Sequence, residues 1–141
     1  MKNHPQVGIG VLIFKGPRLL LGKRQRAHGA YSWGPPGGHL EFGESFEDCG
    51  RREVNEETGF ILSGLHFIDL TNDIFLEENK HYVSVFLSAT CPLGQSLQNR
   101  EPEKIAAWDW FDPGALPERL FLPLQNLLEK RGPDFLRCLA A

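Results

Sequence analysis

The sequence predicts an α+β domain in which a mixed β-sheet carries helices on its faces. Two strand-like segments rich in Val, Ile and Leu lie near the start of the chain, at Val7–Phe14 and Arg18–Arg24. A segment with the pattern of a helix lies between Ser45 and Gly59, and a strongly strand-like segment covers Lys80–Thr90. Strands on both sides of a helix, without repeats or linker-like stretches, favour this fold class.

The first half of the chain begins with a predicted hairpin, because Lys15-Gly16-Pro17 separates the first two segments with a typical turn sequence. The stretch from Ala27 to Gly38 is rich in Gly, Pro and Ser, and we expect a loop there. Ser45 can cap a helix through the backbone N–H of Asp48, and Gly59 suits a left-handed helix end. The apolar face of this helix comprises Phe46, Cys49, Gly50 and Val54.

The second half of the chain predicts more strands and one more helix. We expect strands at Phe60–Leu70 and Ile74–Glu78, in addition to Lys80–Thr90, which is crowded with β-branched and aromatic residues. A further strand is expected at Ala107–Phe111. The period of the apolar residues predicts a helix over Leu120–Lys130.

Size and composition exclude several classes of protein. With 141 residues, 41% of them hydrophobic and 23% charged, the chain has an ordinary globular composition, and we expect one domain covering residues 1–141. A net charge of −3 provides no diffuse attraction for polymeric nucleic acid or anionic membranes. The three cysteines lie far apart and lack metal-ligand spacing. These features predict a soluble, cytoplasmic protein with no membrane or nucleic-acid partner.

Three glutamates near the end of the predicted helix are the most informative residues. Glu53, Glu56 and Glu57 share one helix face because they are spaced i, i+3 and i+4. They lie at the negative end of the helix dipole, where negative charge is unfavourable, and Glu53 repels Glu57. The arrangement therefore costs stability. Taken alone, they can form a solvated charged face. Beside glycine backbone, they also suit Mg²⁺, which takes one or two carboxylates together with water and substrate phosphate.

The spacing around these glutamates resembles a known family. Gly38 is followed by five residues, Glu44, seven residues, and then the run Arg52-Glu53-Val54-Asn55-Glu56-Glu57-Thr58-Gly59-Phe60. This order matches the Nudix box, G-x5-E-x7-R-E-U-x-E-E-x-G-U, at every constrained position. The resemblance implies the Nudix fold, an α/β/α sandwich with a mixed β-sheet. It also implies a magnesium-dependent hydrolase, with Mn²⁺ as a substitute metal, acting on nucleoside diphosphates linked to another group.

The resemblance further assigns roles within the box. The metal ligands would be the Gly38 carbonyl and the carboxylates of Glu53, Glu56 and Glu57. Glu56 could instead orient water, and Arg52 would orient Glu53. Which glutamate acts as the general base is left open by the sequence.

Segments outside the box resemble the MutT-type nucleoside-triphosphate diphosphatases, in particular the animal and plant branch that acts on modified guanine triphosphates. The similar stretches are Lys23 to Trp33, Pro36 to Glu44, His81 to Ser84, Glu101 to Lys104, Trp108 to Trp110, and Leu120 to Leu124. This resemblance implies a small-molecule nucleotide substrate, a purine nucleoside triphosphate, cleaved to the monophosphate and pyrophosphate. Together with the many aromatic residues of a small domain, it also leads us to expect a symmetric homodimer.

Several residues outside the box are candidate substrate contacts. Arg24 could bind phosphate or lie with Lys23 and Arg26 in a solvated turn, and His39 could contact phosphate. Trp33 could stack on a base or pack in the core. The predicted base pocket comprises Trp33, Ser84, Phe121, Leu122 and Leu124, with one adaptable hydrogen bond from the Ser84 hydroxyl.

Two alternatives stay open. The same box could act on another diphosphate substrate, such as dihydroneopterin triphosphate, a nucleotide sugar or a prenyl diphosphate. The domain could also be a non-catalytic nucleotide sensor, although such domains usually lose box glutamates and this chain keeps them all. The bacterial MutT places an asparagine against oxidised guanine, whereas the corresponding region here is apolar with Asn126 nearby, so we predict broad activity on purines.

Overall fold

The computed structural model describes residues 3–25 and 29–140, so Arg26 and part of the expected 27–38 loop lie outside the described residues. The strands are β1 (Gln6–Lys15), β2 (Arg18–Arg24), β3 (Trp33–Gly34), β4 (Gly37–His39), β5 (His66–Phe75), β6 (Lys80–Thr90) and β7 (Ile105–Phe111). The helices are α1 (Phe46–Thr58), α2 (Leu122–Arg131) and α3 (Phe135–Ala140).

The strands form a mixed sheet, as predicted. Its main order is β3-β2-β1-β6-β5, with β4 paired to β1 and β7 paired to β2. The central strands β1 and β6 run parallel, whereas the other pairs are antiparallel. Strand β4 pairs with the beginning of β1, which places Gly38 opposite Ile9 and His39 opposite Gly8. This pairing brings the start of the Nudix-like motif onto the sheet.

Helices cover both faces of the sheet. Val11 and Ile13 of β1 belong to the cluster that packs with Val54 of α1. The alternate residue Leu12 points to the opposite face and packs with Leu124 of α2. Successive side chains of a strand point to opposite faces, so one central strand supports both cores. Full burial of a single Leu or Val of this kind stabilises the fold by about 1.5–3 kcal/mol.

Helix α1 has the predicted caps. The Asp48 backbone N–H donates to Ser45 Oγ at 3.0 Å, and Gly59 ends the helix with a φ of 81° while its N–H donates to the Asn55 carbonyl. Phe46 was expected on the buried face, but it is 39% exposed. It occupies the first helical position, before the helix meets the sheet.

Three expected elements differ from the structure. The expected loop up to Gly38 contains the short strands β3 and β4, since glycine permits the close pairing of β4 with β1: a Cβ at Gly37 would lie 1.9 Å from the Ile9 carbonyl oxygen. The separate strands expected at 60–70 and 74–78 are replaced by the continuous β5, which carries a bulge between Phe67 and Asp69. Helix α3 was not predicted.

No helix in residues 3–25 and 29–140 is long and apolar enough to cross a membrane.

Candidate active site

A cavity of about 470 Å³ opens beside the carboxylate helix. Of the residues predicted to form the site, those that line it are Arg24, Gly38, His39, Glu53, Ser84 and Phe121. Lys104, Phe75 and Tyr82 line it as well, although they were not predicted as site residues. The cavity therefore joins one carboxylate of α1, that of Glu53, to a group of aromatic side chains, whereas Arg52, Glu56 and Glu57 do not line it.

The three box glutamates lie at different depths. The side chains of Glu53 and Glu57 are 11% and 3% exposed, whereas that of Glu56 is 49% exposed. Glu57 is on the side of α1 that faces the sheet, and Glu56 is on the solvent side. The helix spacing thus brings Glu53 and Glu57 to the buried side of the helix, whereas Glu56 lies toward solvent.

Arg52 holds Glu53 in place. Its guanidinium donates to both carboxylate oxygens of Glu44, at 2.8 and 3.0 Å, and its Nη1 donates to Glu53 Oε1 at 2.7 Å. Nη1 also lies 3.5 Å from Glu56 Oε1. The hydrogen bonds from Arg52 lower the pKa of Glu44 to about 2, and they keep Arg52 charged. Glu44 therefore anchors Arg52, and Arg52 in turn fixes the direction of the Glu53 carboxylate.

Glu57 has two partners. The Gly37 backbone N–H donates to Glu57 Oε1 at 2.9 Å, and Lys104 Nζ lies 2.9 Å from Oε2. Burial raises the pKa of Glu57 to about 6, although Lys104 and Gly37 oppose the shift. Burial also raises the pKa of Glu53, against the opposing effect of Arg52.

The residues present fit a hard divalent cation. A Cβ added at Gly38 would lie 2.2 Å from the Glu53 carboxyl carbon, so the carboxylate is in close contact with the glycine backbone. Carboxylate and carbonyl oxygens are the ligands that Mg²⁺ prefers. Within the described ranges, no three Asp, Glu, His or Cys side chains already converge on one point as a metal site. Arg52 and Lys104 hold Glu53 and Glu57 separately.

Positive charge and aromatic rings meet on the cavity wall. The guanidinium carbon of Arg24 lies 4.0 Å from the centre of the Phe121 ring, a cation–π contact. The His39 ring stacks on Tyr82 with its Nε2 3.0 Å from the tyrosine hydroxyl. Burial, with a smaller effect from Lys104, lowers the pKa of His39 and favours its neutral form near pH 7. Phe75 contacts both Tyr82 and Phe121.

The Ser84 hydroxyl has a partner inside the protein. It donates to Asp73 Oδ2, a carboxylate that is fully buried and also accepts hydrogen bonds from Thr71 and Asn126. Because the single hydroxyl proton is used, Ser84 can offer a ligand only its acceptor lone pairs. The structure in this way corrects the expectation of an adaptable hydrogen bond at Ser84.

Three residues of the expected base pocket do not line the cavity. The Trp33 ring packs edge-on against Phe111, with ring centres 5.1 Å apart, and Leu124 is fully buried in the core beneath α2. Leu122 is half-buried outside the cavity. Helix α2 begins at Leu122, and this turn of the chain directs Phe121 and Pro123 to the cavity instead.

Two features of the sequence could have identified Tyr82 and Lys104 as site residues. Tyr82 lies two residues before Ser84 on a strand, so both belong to the same face of the sheet. Lys104 follows two glutamates in the segment Glu101 to Lys104, which resembles the MutT type.

Known proteins are similar to this chain over most of its length. The NUDIX domain matches residues 4–131. An oxidized purine nucleoside triphosphate hydrolase of Danio rerio is 31% identical over 107 residues, which are 76% of this chain and 66% of that protein. An m7GpppN-mRNA hydrolase of Xenopus laevis is 31% identical over 121 residues, 75% of this chain and 41% of that protein. The chain thus spans less than two thirds of the length of either relative.

A solved structure also matches. The MutT NUDIX hydrolase from Burkholderia pseudomallei superposes with a TM-score of 0.84 and 31% identity, over 92% of this chain and all of that chain. Its fold is that of the mixed sheet with helices on both faces described above. A match over residues 4–131 and a shared fold at this identity place the chain in the Nudix family of hydrolases, which act on phosphoric anhydride bonds of nucleotides.

Proposed function

We propose that this chain is a Mg²⁺-dependent pyrophosphohydrolase that cleaves purine nucleoside triphosphates to the monophosphate and pyrophosphate. The observation that carries the proposal is the cavity of about 470 Å³, with Glu53 on one wall and the rings of Phe75, Tyr82, Phe86 and Phe121 on another. A polyphosphate needs the first wall and a base needs the second. One cavity therefore has room for both ends of a nucleotide.

The metal would be held by Glu53, Glu57, Glu56 and the Gly38 carbonyl. When bound, Mg²⁺ screens the polyphosphate charge and lowers the pKa of a coordinated water. Arg52 keeps the Glu53 carboxylate aimed at the site through its 2.7 Å hydrogen bond. A box carboxylate accepts the proton of the attacking water, and any of the three glutamates has the chemistry for this step.

Arg24, His39 and Lys104 are proposed to contact the phosphates, because all three line the same cavity. Arginine and lysine bind phosphate through charge-assisted hydrogen bonds. A neutral His39 can still donate one ring N–H to a phosphate oxygen.

The base is proposed to stack among Phe75, Tyr82 and Phe121. Aromatic side chains hold a purine by stacking and shape, with few polar demands. The Ser84 oxygen can accept one hydrogen bond from a base N–H. Such a pocket distinguishes purines weakly, since a difference of methylene size is worth only about 1–3 kcal/mol. The Danio rerio relative, an oxidized purine nucleoside triphosphate hydrolase, supports a purine triphosphate, whereas the Xenopus laevis relative is named as an m7GpppN-mRNA hydrolase.

A substrate panel tests the proposal. We expect the purified chain with Mg²⁺ to release pyrophosphate from dGTP, GTP and ATP, and to lose this activity in EDTA. The panel includes dihydroneopterin triphosphate, ADP-ribose and geranyl diphosphate as the competing substrate classes. Release of inorganic phosphate as the first product, or turnover of a competing class alone, contradicts the proposal.

A symmetric homodimer is part of the same proposal. The side chains of Leu70 and Ile74 on β5 are 45% and 50% exposed and offer an apolar surface for a second copy. Light scattering at tens of micromolar should give the mass of a dimer. A monomer under these conditions contradicts this expectation.

A further inference from the structure

Lys104 occupies the position next to Glu57 where a cation is needed. Its Nζ lies 2.9 Å from Glu57 Oε2. The other oxygen of Glu57 accepts the Gly37 N–H, and the side chain is 3% exposed. Burial of an unpaired carboxylate is costly, so the ammonium stabilises the charged form of Glu57 in the absence of metal.

The backbone of Lys104 is fixed, while its side chain can move. Its N–H donates to the Glu101 carbonyl and its carbonyl accepts from the Gln25 N–H, both at 2.9 Å. The side chain is 38% exposed and lines the cavity. The long, flexible lysine stem can therefore turn toward the cavity without a change in the backbone.

A second acceptor lies within reach of the same ammonium. Glu101 Oε1 is buried and has no hydrogen-bond partner in the described part of the chain, and it lies 3.8 Å from Lys104 Nζ. Buried polar atoms are rarely left unpaired. In the absence of nucleotide, Lys104 thus has an alternative carboxylate beside it when it leaves Glu57.

We propose that Lys104 is a built-in counter-ion of Glu57 that competes with the catalytic metal and is displaced by it into the cavity, toward the phosphates. A divalent ion bound by Glu53 and Glu57 together needs the Glu57 oxygen that now faces Lys104. Each of the two carboxylates is instead paired with its own cation, Glu53 with Arg52 and Glu57 with Lys104. This inference rests on the proposed metal site. Lys104 leaves Glu57 when the metal enters and then contacts the phosphates when the nucleotide binds.

The test measures Mn²⁺ binding by electron paramagnetic resonance on the full chain without nucleotide. If Glu57 is free of Lys104 in about a tenth of the molecules, Lys104→Met should bind Mn²⁺ about tenfold more tightly than the wild type. Arg100→Gln is the matched control, because Arg100 is a positive charge at the same helix end that donates to the Asn55 carbonyl. We expect its affinity for Mn²⁺ to stay close to the wild-type value.

The melting temperature gives a second readout. Metal-free Lys104→Met should melt below the wild type, because Glu57 loses its counter-ion, and saturating Mn²⁺ should narrow the difference. Lys104→Gln also removes the charge but keeps a donor for Glu57, so it provides the affinity measurement if the methionine variant does not fold.

The outcomes separate this inference from the proposed function. Wild-type binding of Mn²⁺ with unchanged or weaker affinity in both lysine variants overturns the role of Lys104 alone. An equal gain in Arg100→Gln overturns it too, since general electrostatics would then be the cause. If neither the wild type nor the variants bind Mn²⁺, the proposed metal site fails together with this inference.

Discussion

A Cβ atom added at Gly38 would lie 2.2 Å from the carboxyl carbon of Glu53, far inside van der Waals contact. The glycine that opens the motif and the first glutamate of its helix are thus in direct contact, although β4 and α1 are separate elements. The absence of a side chain at Gly38 is what leaves room for the Glu53 carboxylate beside the backbone of β4. Glycine is required here for space, because no positive φ is found at this position.

Gly38→Ala should therefore damage catalysis more than folding. The added methyl group displaces Glu53, and an error of about 1 Å in a catalytic group can cost roughly a hundredfold in rate. Steady-state hydrolysis of dGTP, with circular dichroism for folding, measures both effects.

Gly8→Ala is the control for this change. Gly8 lines the same cavity, but a Cβ there would lie no closer than 3.7 Å to the nearest heavy atom, Ser84 Oγ. We expect near wild-type activity from it. Equal losses in both variants would show that the contact with Glu53 is not special.

Catalysis should depend on the carboxylates of Glu53 and Glu57. Glu53→Gln and Glu57→Gln should each lower kcat by roughly 10² or more at saturating Mg²⁺, because loss of a ligand charge removes transition-state stabilisation. Glu129→Gln, an exposed change on α2, is the control and should leave kcat unchanged. Turnover near the wild-type rate in both box variants would refute the assignment.

The sequence predicted those parts of the site that depend on local signals. Ser45 and Gly59 mark the ends of α1 by their own chemistry, and helix spacing alone brings Glu53 and Glu57 to one face. The partners of these glutamates were harder to foresee. Lys104 meets Glu57 through the pairing of β7 with β2 and through the backbone hydrogen bonds that tie Gln98 and Arg100 to the end of α1. The position of Leu124 depends on the residue at which α2 begins.

The aromatic side chains that line the cavity should contribute to the KM for nucleotides. Phe75→Ala and Phe121→Ala should raise KM for purine triphosphates several-fold with a smaller change in kcat, because contacts remote from the phosphates act alike in the ground and transition states. Initial-rate kinetics with dGTP and ATP measure the two constants.

Leu122→Ala serves as the control for the aromatic variants, since Leu122 is half-buried in the same segment but does not line the cavity. We expect little change in its KM. A larger KM effect in Leu122→Ala than in Phe75→Ala would place the base elsewhere.

The pKa of Glu57 predicts how stability depends on pH. In the folded, metal-free protein it is about 6, above the ordinary value of 4.5, because burial disfavours the carboxylate. The folded state binds this proton more tightly than the unfolded state, so the contribution of Glu57 to stability falls as pH rises from about 4.5 to about 6. The loss should amount to about 2 kcal/mol.

Urea unfolding in EDTA, with wild type and Glu57→Gln compared at each pH, measures this contribution and cancels the other titrating groups. We expect the free energy of unfolding of the wild type to decline relative to that of the variant across this range. With saturating Mg²⁺ the trend should reverse, because metal binding requires the deprotonated carboxylate and gains strength as the proton leaves. A difference between wild type and variant that stays constant with pH in EDTA would show that burial does not shift Glu57.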